Sequence, residues 1–225
     1  MSGNIAIGIQ DFSTIIQGNY FYIDKTPFIK EWWDCGDSAT LITRPRRFGK
    51  TLTMSMVEQF FSIDYAGRSD LFEHLAIWKE EKYRELQGTY PVISLSFARI
   101  KERDYEKTKQ KMCEVLRNIY IKFCYIKAVS YTPALERGIM TGITRVSKES
   151  VFSDLNNLKI VTTTSNEYAS VFGFTEKEVF DALEQYGLEK EKKEVKRWYD
   201  GFIFGEHKDI YNPWSILNYL DTQLY

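Results

Sequence analysis

The chain has 225 residues, is 44% hydrophobic and 27% charged, and sets 30 Lys and Arg against 31 Asp and Glu. That length suits one large domain or a main domain with a small appendage, and the balanced charge gives no electrostatic case for nucleic acid or a membrane surface as partner. The cysteines Cys35, Cys113 and Cys124 form no CxxC pair, no apolar run approaches the ~20 residues of a membrane span, and the opening MSGNIAIGIQDF is no signal peptide, so the expected location is the reducing cytoplasm.

In chain order, Asp24-Lys25-Thr26-Pro27 opens a predicted helix through Phe28, Ile29, Trp32 and Trp33, with Pro27 in its first turn. Residues 38–43, SATLIT, are short, β-branched and apolar, and read as a buried strand. A loop over 44–50 leads to a helix over 51–63, with apolar residues at 52, 56, 57, 60, 61 and 63. PVISLSF, residues 91–97, reads as a second strand, and residues 102–127 as one long helix with an apolar stripe and a basic face, solvated rather than built for nucleic acid. Residues 138–144 are a third strand, and 150–155 a short helix. Thr175-Glu176-Lys177-Glu178 is a capping box opening a helix that Gly187 stops, a charged helix follows over 189–198, and a last one comes after Asn212-Pro213-Trp214.

Strands alternating with helices predict an α/β fold with a mostly parallel sheet, in which 38–43, 92–97 and 139–144 are buried neighbours. No strand is expected after about residue 165. The chain therefore divides into a core over 1–165 and a small helical C-terminal subdomain over 166–225.

Phe48-Gly49-Lys50-Thr51 carries the chemistry. It has the end of the phosphate-loop pattern G-x-x-x-x-G-K-[ST], but Arg44 stands where the leading glycine belongs. Roughly one chain in ten of this length holds G-K-[ST] by chance at average residue usage. A strand before and a helix after lower that several-fold. At such a junction unpaired backbone N–H groups and the helix dipole favour an anion. Gly49 lets the backbone approach a phosphate, Lys50 reaches the terminal phosphates, and the Thr51 hydroxyl is placed to ligate Mg²⁺. Arg44, Arg46 and Arg47 fit either forked pairing with phosphates or a surface cluster that orders the loop against nearby acids. His74 and His207 are isolated, and with three scattered cysteines give no metal spacing.

The string Leu41-Ile42-Thr43-Arg44-Pro45-Arg46-Arg47-Phe48-Gly49-Lys50-Thr51-Leu52 resembles the P-loop of the AAA-ATPase-like family of bacterial and archaeal proteins, which carries R-P-R-R-F-G-K-[ST]. Asp24-Lys25-Thr26, the stretch from Met140 to Leu158 that opens Met140-Thr141-Gly142-Ile143-Thr144-Arg145, Trp198-Tyr199-Asp200-Gly201-Phe202 and Tyr211-Asn212-Pro213-Trp214-Ser215 resemble further family strings in the family's order. The resemblance runs from about Gly8 to Tyr225. It implies a P-loop NTPase-like parallel sheet flanked by helices, ATP and Mg²⁺ as cofactors, and a nucleotide site at Arg46, Arg47, Phe48, Gly49, Lys50, Thr51 and Leu52, with Thr51 toward the metal. It further implies Thr144 and Arg145 at a strand end near the terminal phosphate. Trp198, Tyr199, Asp200 and Gly201 fit a place near the base, or packing.

One family element is missing. No hydrophobic strand here ends in the acidic residues that hold Mg²⁺ and polarise water. The family's acidic strand lies ahead of the Leu135-Glu136-Arg137-Gly138 segment, and the chain looks shortened by several tens of residues near 122–133. Glu149, Asp154 and Asp200 are the acids left to substitute. The expectation is an ATP-binding domain with weak or absent hydrolysis, its sheet under-covered and so prone to self-association. The alternative is a degenerate or truncated member, lacking the nuclease-like domain the family often carries next, that acts as a non-catalytic interaction module with a protein partner.

Overall fold

The computed structural model describes residues 3–98, 100–123, 136–143 and 158–224. Its centre is strand β1, Ala39–Thr43, buried along its whole length. Strands β2, Gly138–Gly142, and β3, Leu158–Val161, flank β1 on either side, both parallel to it, so Leu41 faces Met140 on one edge and Ile160 on the other. A strand buried on both faces reads as a continuous apolar run, as 38–43 does.

Helices α1, Phe12–Gln17, α2, Pro27–Cys35, and α3, Lys50–Phe61, pack around this sheet. Their contacts are dominated by rings, which is where the 16% aromatic content is spent. Phe12 stacks on Phe72 at 5.2 Å, Phe72 meets Phe60 edge-on at 5.1 Å, and Phe28 meets Tyr168 at 5.1 Å. Edge-on and offset contacts of this kind add to what burial alone supplies. Asp11 ties α1 to α3. It caps α1 by accepting from the Thr14 N–H at 2.8 Å and accepts from Gln59 Nε2 of α3 at 2.7 Å.

The next stretch includes the short helix α4, Glu81–Arg84, and the longer α5, Tyr105–Lys122, capped by Asp104. No residue of α5 is buried. The strand expected over 92–97 does not form: the segment is irregular, and Ile93 and Phe97 are 57% and 45% exposed. With β2 and β3 on either side, β1 has no edge left for this segment, and among the described residues it pairs with no outer edge of β2 or β3 either. Alternating apolar residues encode a fitness for pairing, not a partner. The helix expected over 150–155 lies outside the described residues.

The C-terminal part also departs from expectation. It holds strand β4, Phe174–Thr175, helix α6, Glu176–Gln185, helix α7, Lys192–Tyr199, strands β5, Phe202–Phe204, and β6, His207–Tyr211, and helix α8, Pro213–Thr222. The strands form an antiparallel sheet in the order β4-β6-β5, where only helices were expected. Strands of two and three residues are too short to show a period, and β6, HKDIY, opens on three polar residues in a row. The capping box at Thr175 and Glu178 forms as expected. Val179, Leu183, Val195, Tyr211, Ile216 and Leu220 make a second core, and a small cluster of Phe48, Ala169, Phe204 and Ile210 joins it to the loop after β1. Among the described residues no helix is long and apolar enough to cross a membrane.

Arg44 locks these parts together. Its N–H extends the β1–β2 ladder to the Gly142 carbonyl at 3.1 Å. Its side chain is fully buried. Nη1 donates to the carbonyls of Thr43 at 2.9 Å and Thr162 at 2.7 Å, and Nη2 to those of Glu167 at 3.2 Å and Tyr168 at 3.3 Å. The Phe204 ring lies 4.9 Å away. Burial pulls the Arg44 pKa down to about 10, which leaves it charged at neutral pH. The guanidinium thus serves as a strut between β1, the segment after β3, and β5. It points inward, away from the role of a surface phosphate ligand.

Two outcomes follow from these contacts. Arg44→Met removes the donors and strands buried carbonyls, each costing about 1–3 kcal/mol, so urea unfolding should show a loss of at least about 3 kcal/mol. Asp11→Ala should cost about 1 kcal/mol at neutral pH through the lost cap. Burial pushes the Asp11 carboxyl up, but hydrogen bonds from Thr14, Ser13 and Gln59 outweigh it and leave it below the ordinary value. A carboxylate lowered by folding stabilises above its unfolded pKa, about 3.9, and loses that contribution as pH falls through the folded value. The gap between wild type and Asp11→Ala should therefore narrow in acid, as thermal melts at pH 7 and pH 3 would register.

Candidate phosphate-binding site

The loop over 44–49 runs from the end of β1 to the start of α3. Gly49 is the N-cap of α3 at φ +73, a left-handed conformation that glycine adopts without steric cost. A Cβ placed on Gly49 would meet nothing within 4 Å, so the backbone angle is what asks for glycine there, and the space beside it is open. No side chain caps α3, and its first turn holds no acidic residue. The helix start is therefore left as a place for an anion.

Lys50 folds back over the loop. Its Nζ donates to the carbonyls of Arg44 at 2.9 Å and Pro45 at 2.5 Å. Burial pulls its pKa below the ordinary lysine value, and the charge of Arg46 adds to the effect. Thr51 is exposed on the first turn and Leu52 is half-buried beside it. Arg46 and Arg47 are exposed. Arg47 has φ +67, a conformation that costs a non-glycine residue roughly 1–2 kcal/mol. Its guanidinium carbon lies 3.8 Å from the centre of the Trp214 ring on α8.

Phe48 is the fixed point of the loop. It is fully buried, 4.8 Å from the Phe202 ring and 5.4 Å from that of Phe204. Gly173, at φ +106, lets the segment before β4 pass close: a Cβ there would come within 2.6 Å of Ile210 and 3.1 Å of Phe48.

The loop opens onto a cavity of about 300 Å³, near the lower end of the usual range for small-molecule sites. Ile9, Phe21, Ile23, Phe174 and Leu217 give it apolar walls, while Lys25, Arg47 and Lys50 bring positive charge to its lining. Gly49, Thr51 and Leu52 also line it. Among the described residues no carboxylate does. The geometry can hold a ligand with an apolar, flat part and an anionic tail.

The structure thus brings together Arg47, Phe48, Gly49, Lys50, Thr51 and Leu52 around one cavity, with Arg46 exposed beside it. Thr144, Arg145, Glu149 and Asp154 lie outside the described residues. Asp200 sits elsewhere, with Asp209 and Lys196; burial raises its pKa and the contact with Asp209 adds to this. Trp198 is not part of the lining.

Among the lining residues that were not sequence candidates, Lys25 and Trp214 bring a charge and an indole ring to the cavity. Lys25 is mostly buried and donates to Glu178 at 2.6 Å and to the Ser170 carbonyl at 2.7 Å. Burial lowers its pKa and the Glu178 charge works against that. Its neighbours explain the Asp-Lys-Thr string: Asp24 accepts from the Thr26 N–H at 2.8 Å and from the Ala76 N–H at 2.7 Å, fixing the start of α2. The other is Trp214. The Asn-Pro-Trp string pointed at it, with Asn212 accepting from the Trp214 N–H at 3.0 Å as the cap of α8 and Pro213 in the first turn.

The chain was compared with known proteins. No solved structure matches it. It is 26% identical over 276 aligned positions to a protein of Azotobacter chroococcum mcd 1 described as an uncharacterized protein in the vnfD 5' region, covering 95% of this chain and 51% of the relative. The chain spans about half the length of that relative, and the aligned positions outnumber its residues, so the relative holds internal residues that this chain lacks. A family model described as a predicted AAA-ATPase matches residues 6–131, more than half of the chain and the whole of the loop and its helix. With the Arg-Pro-Arg-Arg-Phe-Gly-Lys-Thr loop inside that match, the chain belongs to the AAA-ATPase-like family.

Proposed function

We propose that this protein binds ATP, with Mg²⁺, in the cavity beside the loop over 44–52, on a P-loop NTPase-like fold. The observation that carries the reading is the junction of two features in one place. A glycine-capped helix start with a lysine above it opens onto an apolar cavity of about 300 Å³ with positive charge in its lining. The phosphates take the helix start, Gly49, Lys50 and Arg46. The base takes the apolar wall of Ile9, Phe21, Ile23 and Leu217. Thr51 is exposed on the first turn, where its hydroxyl suits a metal that keeps several waters and shares phosphate oxygens. Thr144 and Arg145 follow β2, which ends at Gly142 opposite Thr43, the point where the loop also departs. That end of the sheet supports their place near the terminal phosphate.

Hydrolysis is weak or absent in this reading. It rests on the lack of an acidic strand end in the sequence and of a carboxylate among the described lining residues. Each 1.36 kcal/mol of lost transition-state stabilisation is about tenfold in rate. Location in the cytoplasm of a prokaryotic cell is part of the same proposal.

A second reading drops the nucleotide and makes the chain a non-catalytic interaction module. The exposed Ile93, Leu95 and Phe97, together with a helix α5 that has no buried residue, favour it, since such surface suits a protein partner or a second copy.

Calorimetry with ATP, with and without Mg²⁺, separates the two. Lys50→Ala should leave the melting curve close to wild type and weaken ATP binding at least about tenfold, the loss expected for one charge-assisted contact of about 1.5–3 kcal/mol. Equal affinity in the folded variant would sink the phosphate-loop reading. Turnover by the pure protein at about 1 s⁻¹ or faster would sink the weak-hydrolysis part.

A further inference from the structure

Arg46 and Arg47 are the exposed residues between two buried anchors. Arg44 is held by four carbonyl contacts on one side, and Phe48 is packed against Phe202 and Phe204 on the other. The backbone of the loop is pinned at both points, so a change inside it falls to the side chains between them. The Arg47 guanidinium lies over the face of Trp214, at 3.8 Å. Arg47 and Trp214 both line the cavity, together with Gly49, Lys50 and Thr51.

A guanidinium lying on an exposed indole is weakly held, and its five N–H donors stay available. Phosphate oxygens offer it bidentate, charge-assisted bonds, which are far stronger. The two acceptors compete for one side chain. Trp214 is in the first turn of α8, a helix that packs into the second core through Ile216, Tyr219 and Leu220. Release of Trp214 is therefore felt at the start of α8.

We propose that Arg47 is a two-position residue: it rests on Trp214 when the site is empty and turns to the nucleotide phosphates when the site is filled, so that α8 reports occupancy. This rests on the reading that nucleotide phosphates bind at the loop. It gives the phosphate-pairing role of Arg47 a resting position, adds a sensing role for Trp214, and couples the loop to the C-terminal part without moving the buried anchors.

The test uses the full chain labelled with 5-fluorotryptophan and followed by ¹⁹F NMR, with calorimetry on the same samples. Trp214→Phe assigns the Trp214 line among the five tryptophans. ATP should shift that line well beyond the lines of Trp32, Trp33 and Trp78. In Arg47→Met, ATP should bind about tenfold more weakly, the empty-state line should already be displaced, and saturating ATP should leave it nearly still. A ligand that perturbed Trp214 merely by lying near it would shift the line equally in wild type and in Arg47→Met, and that result would overturn the proposal. So would heat of ATP binding with no movement of the Trp214 line in wild type. Absence of any ATP binding by calorimetry would instead remove the nucleotide reading, and this proposal with it.

Discussion

A cation buried among carbonyls, with no carboxylate paired to it among the described residues, is the constraint on which the remainder of this molecule rests. Taking a guanidinium out of water is costly, and backbone oxygens in good geometry are what offset it here. Those oxygens belong to three separate stretches: the end of β1, Thr162 just after β3, and the turn at Glu167 and Tyr168. Holding the two terminal nitrogens of one side chain therefore fixes three pieces of chain at once. The usual phosphate loop has glycine at this position so that backbone can come close to a phosphate. In this chain the position serves the interior, and on the proposed reading the approach to an anion is left to Gly49 and the helix behind it.

Phe48 extends the same logic to the C-terminal part. The ring sits in the small cluster with Phe204 and Ile210, and Gly173 is the residue that leaves room for it. The loop is thus clamped between two cores, one built on the parallel sheet and one on α6, α7 and α8. The floor of the cavity is shared in the same way: its lining comes from the N-terminal segment, the loop, the approach to β4 and the start of α8. Neither core alone would make the site.

That division explains what could be read in advance. β1, the glycine cap and α3 are contiguous, and their signals are local: a β-branched run, a left-handed glycine, then a helical stripe. The capping box at Thr175 is local too. Residues 92–97 carry an equally good strand signal, but pairing depends on which edges remain open, and spacing holds no record of that. The sheet over β4, β5 and β6 was hidden because β4 and β5 are too short to show alternation and β6, HKDIY, opens on three polar residues in a row. Lys25 and Trp214 reach the cavity from positions 25 residues before Lys50 and 164 after it. The resemblance marked both strings, yet said nothing of their meeting. Arg44 was visible as an oddity, and only its burial distinguishes a strut from a phosphate ligand.

Lys50 gives the last point. In the structure its ammonium is not waiting in solvent; it is bound to the carbonyls of Arg44 and Pro45. The loop is thus closed by its own lysine, with two backbone carbonyls as its acceptors. An incoming phosphate gains only the difference between itself and those carbonyls as acceptors, while the loop needs little ordering to receive it. On the proposed reading, departure is eased in the same measure, because the lysine has a ready place to return to as the phosphates leave. On that reading the site is built for exchange more than for retention, with the lysine held in place at either end of the cycle.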